Sequence, residues 1–171
     1  MSWSGTSTIQ DRIFGALLYV LPLIDLIIFQ YVGNTPGSLI SLIPGWSVFL
    51  TLIFPLVILY GSNWIISLGI FFALFAFVIR NENVARFVRF NAMQAILLGI
   101  VLTLVRLVRD FILGPVLSAT GESGAFIMDT IQNTVFLGGI AVLVYCFVQT
   151  ARGLYPDKIP SLSEIVNMQV R

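Results

Sequence analysis

The sequence predicts an all-α polytopic membrane helix bundle, with four transmembrane helices and one additional short or re-entrant apolar segment. Three observations lead there. Of 171 residues, 58% are hydrophobic and only 10% charged, with a mean hydropathy of +0.99, whereas a soluble domain normally carries about 25% charged residues. Too few polar groups remain to cover a surface in water. The apolar residues also fall in long runs separated by turn signals, and Lys and Arg collect in some of those turns while avoiding others. No repeat or low-complexity tract divides the chain, so residues 1–171 form a single membrane domain.

The N-terminus, residues 1–12, is short and polar. It lacks the basic stretch, apolar core and cleavage site of a secretory signal, and it is not a long Ser- and Arg-rich transit peptide. A bacterial, organelle-encoded or already mature chain is expected. Residues 13–32 form the first span, about 20 residues and therefore about 30 Å as a helix. Pro22 should kink it by removing one backbone hydrogen bond, and the turn signal GNTPGS follows at 33–38. Residues 39–80 hold one crossing plus a short segment. The pieces 46–60 and 64–79 have about 15 and 16 residues, each short of the roughly 17–25 of a clean span. Pro44-Gly45, Pro55 and Gly61-Ser62-Asn63 punctuate them, and 46–60 is the expected non-crossing piece.

Residues 86–113 read as one continuous helix of about 28 residues, with its membrane part at 90–113. Arg86 and Arg89 are expected to snorkel to the headgroups while Phe87 and Phe90 dip inward. Ala95, Gly99 and Thr103 fall four apart, a stripe that lets another helix approach. Residues 114–128, with Pro115 and GESG at 121–124, read as a loop. Asp129 then starts the last helix, with its span at 130–151 and Gly138-Gly139 as a mark of close packing. The polar tail, 153–171, carries a capping-box pattern at Ser161 and Glu164.

Charge orders these spans. Arg12, the group Arg80, Arg86 and Arg89, and the group Arg152, Lys158 and Arg171 lie in three segments, while 33–38, 61–63 and 114–128 contain neither Lys nor Arg. The positive-inside rule puts both termini and the central junction on the cytoplasmic or stromal side. An even number of crossings must then precede the junction and another follow it, giving four. The rival count is five with the N-terminus outside, against which Arg12 speaks.

Several function classes drop out. A net charge of +1 gives no case for nucleic-acid binding. There is no histidine, the usual metal ligand and general base. Cys146 lies in an apolar run as a small packing residue, and no phosphate-binding glycine loop, metal-ligand spacing or Ser–His pair occurs. Neither catalysis nor a cofactor or metal is expected.

The charges inside apolar runs carry the interest. Asp25 sits mid-run in LPLIDLIIF, where an ionised carboxylate costs at least about 2.5–3.5 kcal/mol. It must face a protein partner or water, or be protonated. Arg106 and Arg109 lie near the outer end of the third span, and Asp110 adjoins Arg109 and is within helical reach of Arg106. In one reading these groups are structural pairs that fix helix packing, and in the other they line a polar path. Arg86 and Arg89 read as surface anchors, and Asn91 and Gln94 as interhelical hydrogen-bonding groups.

Three segments then give the chain a relative: DRIFGALLYVLPLID (11–25), FFALFAFVIRNENVARFVRFNAMQAILL (71–98) and VYCFVQTARGLYPDKIPSLSE (144–164). They resemble the Tic-twenty family, the multi-spanning core subunits of the chloroplast inner-envelope protein translocon with cyanobacterial and plastid-encoded relatives. RFVRFNAMQA and YPDKIP are the most specific parts. The resemblance implies four membrane helices, stromal or cytoplasmic termini and a cyanobacterial membrane or plastid inner envelope as location. It also implies partners: the bilayer, other translocon subunits or further copies, and a translocating polypeptide. Two alternatives come from other classes. One is a small-solute or ion transporter using Asp25, and the other is a non-conducting assembly or scaffold factor.

Overall fold

The computed structural model describes residues 7–32, 44–61, 63–159, 165, 166 and 169. The turn signal at 33–38 and the Ser161–Glu164 pattern lie outside them. The described residues are helical, without strands. α1 (Ile9–Leu18) begins four residues before the expected start because Thr8 and Asp11 form a capping box. The Thr8 hydroxyl accepts from the Asp11 N–H at 3.2 Å, and the Asp11 carboxylate accepts from the Thr8 N–H at 2.9 Å. Pro22 has no N–H to offer the Leu18 carbonyl. The helix steps at Tyr19, whose N–H turns to the Ala16 carbonyl at 3.2 Å, and resumes as α2 (Val20–Val32).

α3 (Trp46–Gly61) and α4 (Trp64–Ala73, prolonged by π-helical turns over Leu74–Ile79) meet at a bend of 92°. Asn63 makes the new start, its side chain accepting from the Ile65 N–H at 2.9 Å. Trp46 packs edge-on to Phe136 and Tyr60 reaches Asp25. Both ends of α3 thus meet the bundle at similar depth, and α3 lies across it.

α5 (Arg86–Val108) runs on through a π-helical segment, Arg109–Leu113, into α6 (Gly114–Ser118), and the chain reverses into α7 (Glu122–Ala151). The long loop expected at 114–128 is therefore corrected. Pro115 falls inside this continuous run, directly after the π-helical turn in which the Gly114 N–H reaches back to the Arg109 carbonyl. Gly121 adopts φ +62°, which a glycine accepts readily. Glu122 in the first turn of α7 complements that end of the helix. A Cβ on Gly124 would run into the Leu117 carbonyl, so only glycine lets α7 start this close to α6.

Pairings set the directions. Gly15 and Tyr19 lie at Asn91, Asp25 at Gly99, and Phe29 at Arg109, so α1–α2 and α5 run parallel. Thr150 bonds Asn91, Gly139 faces Leu26, and Gln132 bonds Gln30, so α7 runs antiparallel to both. Leu26, Ala95, Leu98, Phe136, Leu143 and Cys146 close the space between them. Of the Gly138-Gly139 pair only Gly139 marks close packing. A Cβ there would stand 2.8 Å from Leu26, whereas one on Gly138 meets nothing within 4 Å.

Among the described residues, by length and composition, Ile9–Gln30 (22 residues) and Glu122–Ala151 (30 residues) can cross a membrane, and the bent pair α3–α4 gives a third if taken as one broken span. The four crossings expected from the sequence exceed this count.

Candidate functional site

In the parallel pair α1–α2 and α5 with its antiparallel neighbour α7, polar side chains gather at three depths. At the end where α1 begins and α7 ends, Asn91 is fully buried. Its Oδ1 accepts from the Tyr19 hydroxyl at 2.9 Å and the Thr150 hydroxyl at 2.6 Å, and its Nδ2 donates to the Phe87 carbonyl at 2.8 Å. One amide thus joins three helices. Gln94, one turn further, donates from Nε2 to the Pro156 carbonyl at 3.0 Å. Tyr155 sets its ring edge-on against Phe87 and Phe90, at 5.2 and 5.1 Å between centroids. Burial pushes the Tyr155 phenol up, partly offset by the Arg86 guanidinium, so it stays uncharged at neutral pH. RFVRFNAMQA and YPDKIP, the most specific sequence segments, therefore build one cluster.

Phe87 and Phe90 point inward as expected, at 4% and 2% exposure. Arg89 is not simply a headgroup anchor. Its Nε donates to the Ile79 carbonyl at 2.9 Å, ending the α4 rod. Arg86 is exposed beside it.

Midway along, Asp25 faces a cleft of about 390 Å³ between α2, α4 and α5. Its Oδ2 accepts from the Tyr60 hydroxyl at a long 3.4 Å, and Ser67 and Thr103 add hydroxyls to the lining, each already donating to a backbone carbonyl. The remaining walls are aliphatic and aromatic, with Ile96, Ile100, Phe71 and Leu74 among them. The Ala95–Gly99–Thr103 stripe forms one side. A Cβ on Gly99 would stand 3.1 Å from Asp25 Oδ2, so the small residue gives the carboxylate its room. Such a surface, apolar with one carboxylate and a few hydroxyls, can hold a hydrogen-bond donor or a cation without gripping one shape.

At the far end Arg109 is buried, 5% exposed. Its Nη1 donates to the Phe29 carbonyl at 2.7 Å, its Nε to Asp110 at 2.7 Å, and its guanidinium carbon lies 4.6 Å from the Phe29 ring centroid. Gln132 donates to the Gln30 carbonyl at 3.0 Å, and Gln30 to Asn133 at 3.0 Å. Arg109 and Gln132 thus both donate to carbonyls in the last described turn of α2. Arg106 only flanks the cluster, 3.6 Å from Asp110 and well exposed.

The structure joins Arg109 to Asp110 and places Arg106 beside them. It puts Asn91 and Gln94 in a separate cluster and leaves Asp25 in a third. The pairing of Asp25 with Arg106 or Arg109 considered from sequence is not formed, since both ion pairs among the described residues use Asp110. Tyr19, Thr150, Tyr60, Ser67, Gln30 and Gln132 went unremarked in the sequence. Gln30, an isolated amide in an apolar run, is the sequence signal for this cluster.

These features define an all-helical integral membrane protein whose helices are clamped by buried polar groups at both ends, with a carboxylate cleft between. The family profile described as "Chloroplast import apparatus Tic20-like" matches residues 8–165. Among relatives, "Tic20 family protein" of Synechocystis sp. is 37% identical over 171 residues, covering 100% of this chain and 99% of its own. "Protein TIC 20-v, chloroplastic" of Arabidopsis thaliana is 30% identical over 94% of this chain and 71% of its own. "Tic20 family protein Ycf60" of Porphyra purpurea is 32% identical over 93% and 75%. No solved structure matches. The chain belongs to the Tic20 family. At that level it is a membrane protein of the chloroplast and cyanobacterial protein-import type.

Proposed function

We propose that this chain is a non-enzymatic membrane subunit of a Tic-type protein-translocation complex, and that polypeptide passes along the Asp25 cleft at an interface with another subunit. The observation that carries this is the placement of the cleft. The space between α1–α2, α5 and α7 is filled by Leu26, Phe29, Leu98, Phe136 and Leu143, all 9% exposed or less. The Asp25 cleft lies instead on the α4 flank, beside an α3 with no buried residue. A path there needs a second wall from a partner or another copy. A transporter reading would rest on the same carboxylate, and a measurement below separates the two.

The chain would cross four times: α1–α2, the bent pair α3–α4 with α3 as the re-entrant piece, α5 and α7. α5 has 23 residues, about 35 Å at 1.5 Å per residue, enough for a hydrocarbon core of about 30 Å. Its direction, parallel to α1–α2, fits termini and junction on one face. An impermeant thiol reagent should reach a cysteine at Asn83 from the cytoplasmic or stromal side and one at Ser123 only from the opposite side, in a Cys146→Ala background. Labelling of both from the same side contradicts four crossings.

Function is tested with photo-crosslinking probes at Ser67 and Thr103, which line the cleft, and at Val144, exposed on α7. With a precursor arrested in transit, adducts should form from the first two and not from Val144. Adducts to resident membrane proteins alone, from all three, would favour a scaffold.

A further inference from the structure

A second cleft, also about 390 Å³, runs between α1 and α7 where both leave the bundle. Ile9, Arg12, Ile13, Ala16, Leu17 and Val20 line its α1 side at helical spacing, and Phe147 and Ala151 the other. Ala16 and Ala151 keep it open, and Ile13 and Leu17 are more than half exposed at its rim. From Arg12 to Val20 it extends eight residues, about 12 Å along the helix. It is therefore a groove parallel to the span, apolar along its length and cationic at one end.

On the four-crossing arrangement proposed above, on which this inference rests, that end lies at the membrane surface. Thr8 caps α1 there, and α7 stops at Ala151 with exposed Arg152 next. Arg12 donates only to neutral groups among the described residues, from Nε to the Ser7 hydroxyl at 3.2 Å and from Nη2 to the Ser7 carbonyl at 3.3 Å. Asp11, its neighbour, is committed to Thr8. Gly153 (φ +77°) lies so near that a Cβ there would stand 2.6 Å from Arg12 Nε, which fixes the guanidinium over the groove mouth. No acidic residue lines the cleft.

We propose that this groove is a binding site for an anionic diacyl lipid. Arg12, with Arg152 beside it, takes the phosphate, and one acyl chain lies along Ala16, Leu17 and Val20 against Phe147. The charge decides the occupant: a neutral lipid or an apolar partner helix would fill the groove equally well and leave Arg12 without a counter-charge among the described residues.

The test uses delipidated full-length protein in neutral micelles, titrated with phosphatidylglycerol and with phosphatidylcholine of the same chains, with bound lipid counted by native mass spectrometry. Wild type should prefer phosphatidylglycerol. Each basic residue near such a headgroup is worth about fivefold in affinity. Arg12→Gln should lose about that factor for phosphatidylglycerol and little for phosphatidylcholine. Because Arg12 also holds Ser7, a second variant is needed. Ala151→Trp fills the groove without touching Ser7 and should abolish retention of both lipids while the helical signal stays intact. Soluble glycerophosphate should not displace the bound lipid. Equal affinity of wild type for the two lipids, an equal loss of both in Arg12→Gln, or unchanged retention in Ala151→Trp would each overturn the proposal.

Discussion

Replacing Arg109 with methionine should destabilise the detergent-solubilised protein by about 2–4 kcal/mol. A buried hydrogen bond from a charged donor contributes about 1.5–3 kcal/mol and a desolvated cation–π contact up to about 2. Arg109 makes both, to the Phe29 carbonyl at 2.7 Å and over the Phe29 ring at 4.6 Å. The link to Asp110 adds little, because that carboxylate side chain is 41% exposed and solvent screens it. Arg109→Lys should rescue only in part, since an ammonium lacks the planar fork that serves Phe29 and Asp110 together. Arg106→Met is the control. Its pair with Asp110 spans 3.6 Å between two side chains more than 40% exposed, so its loss should be under about 1 kcal/mol. Unfolding followed by helical signal across a denaturant series checks this. Equal losses at Arg106 and Arg109 would show that Arg109 does not hold the far end of α2.

Residue type and local spacing were enough for one part of the site. Asn91 and Gln94 sit one turn apart in a largely apolar helix; Asn91 bonds Thr150 on α7, and Gln94 bonds the Pro156 carbonyl in the segment after α7. Asp110 lay within a turn of Arg106 and next to Arg109, and it pairs with both. The helical class followed from composition and the length of the apolar runs. What failed to show was the depth of one helix against another. Asp25 lies opposite Gly99, which puts Arg106 seven residues and Arg109 ten residues further along α5, about 10 and 15 Å away along the axis. A sequence carries no such register, so the pairing of Asp25 with those arginines looked open. The helix ends at 114–128 were misread for a local reason. Pro115 and Gly121 read as breakers, yet Pro115 follows a π-helical turn inside a continuous helix, and Gly121, at positive φ, marks the tight corner where two helices meet. The step at Tyr19 was half-legible: Pro22 required a lost bond, and the loss falls one turn upstream, at the carbonyl that the proline cannot serve.

Asp25→Asn brings the central claim to one measurement, precursor transport by vesicles or proteoliposomes carrying the complex with the variant chain. Asparagine keeps the shape and can still accept from Tyr60, so abundance and thermal stability should match wild type. Among the described residues, no arginine is bonded to Asp25 that its loss would strand. Transport should nonetheless fall by about tenfold, the worth of the roughly 1–1.5 kcal/mol that separates a charge-assisted hydrogen bond from a neutral one. Ion flux without precursor, measured on the same vesicles, should be equal for the two chains. A stable variant that transports precursor at the wild-type rate would contradict a path along the Asp25 cleft, and a lost ion flux with precursor transport intact would assign the carboxylate to a transporter.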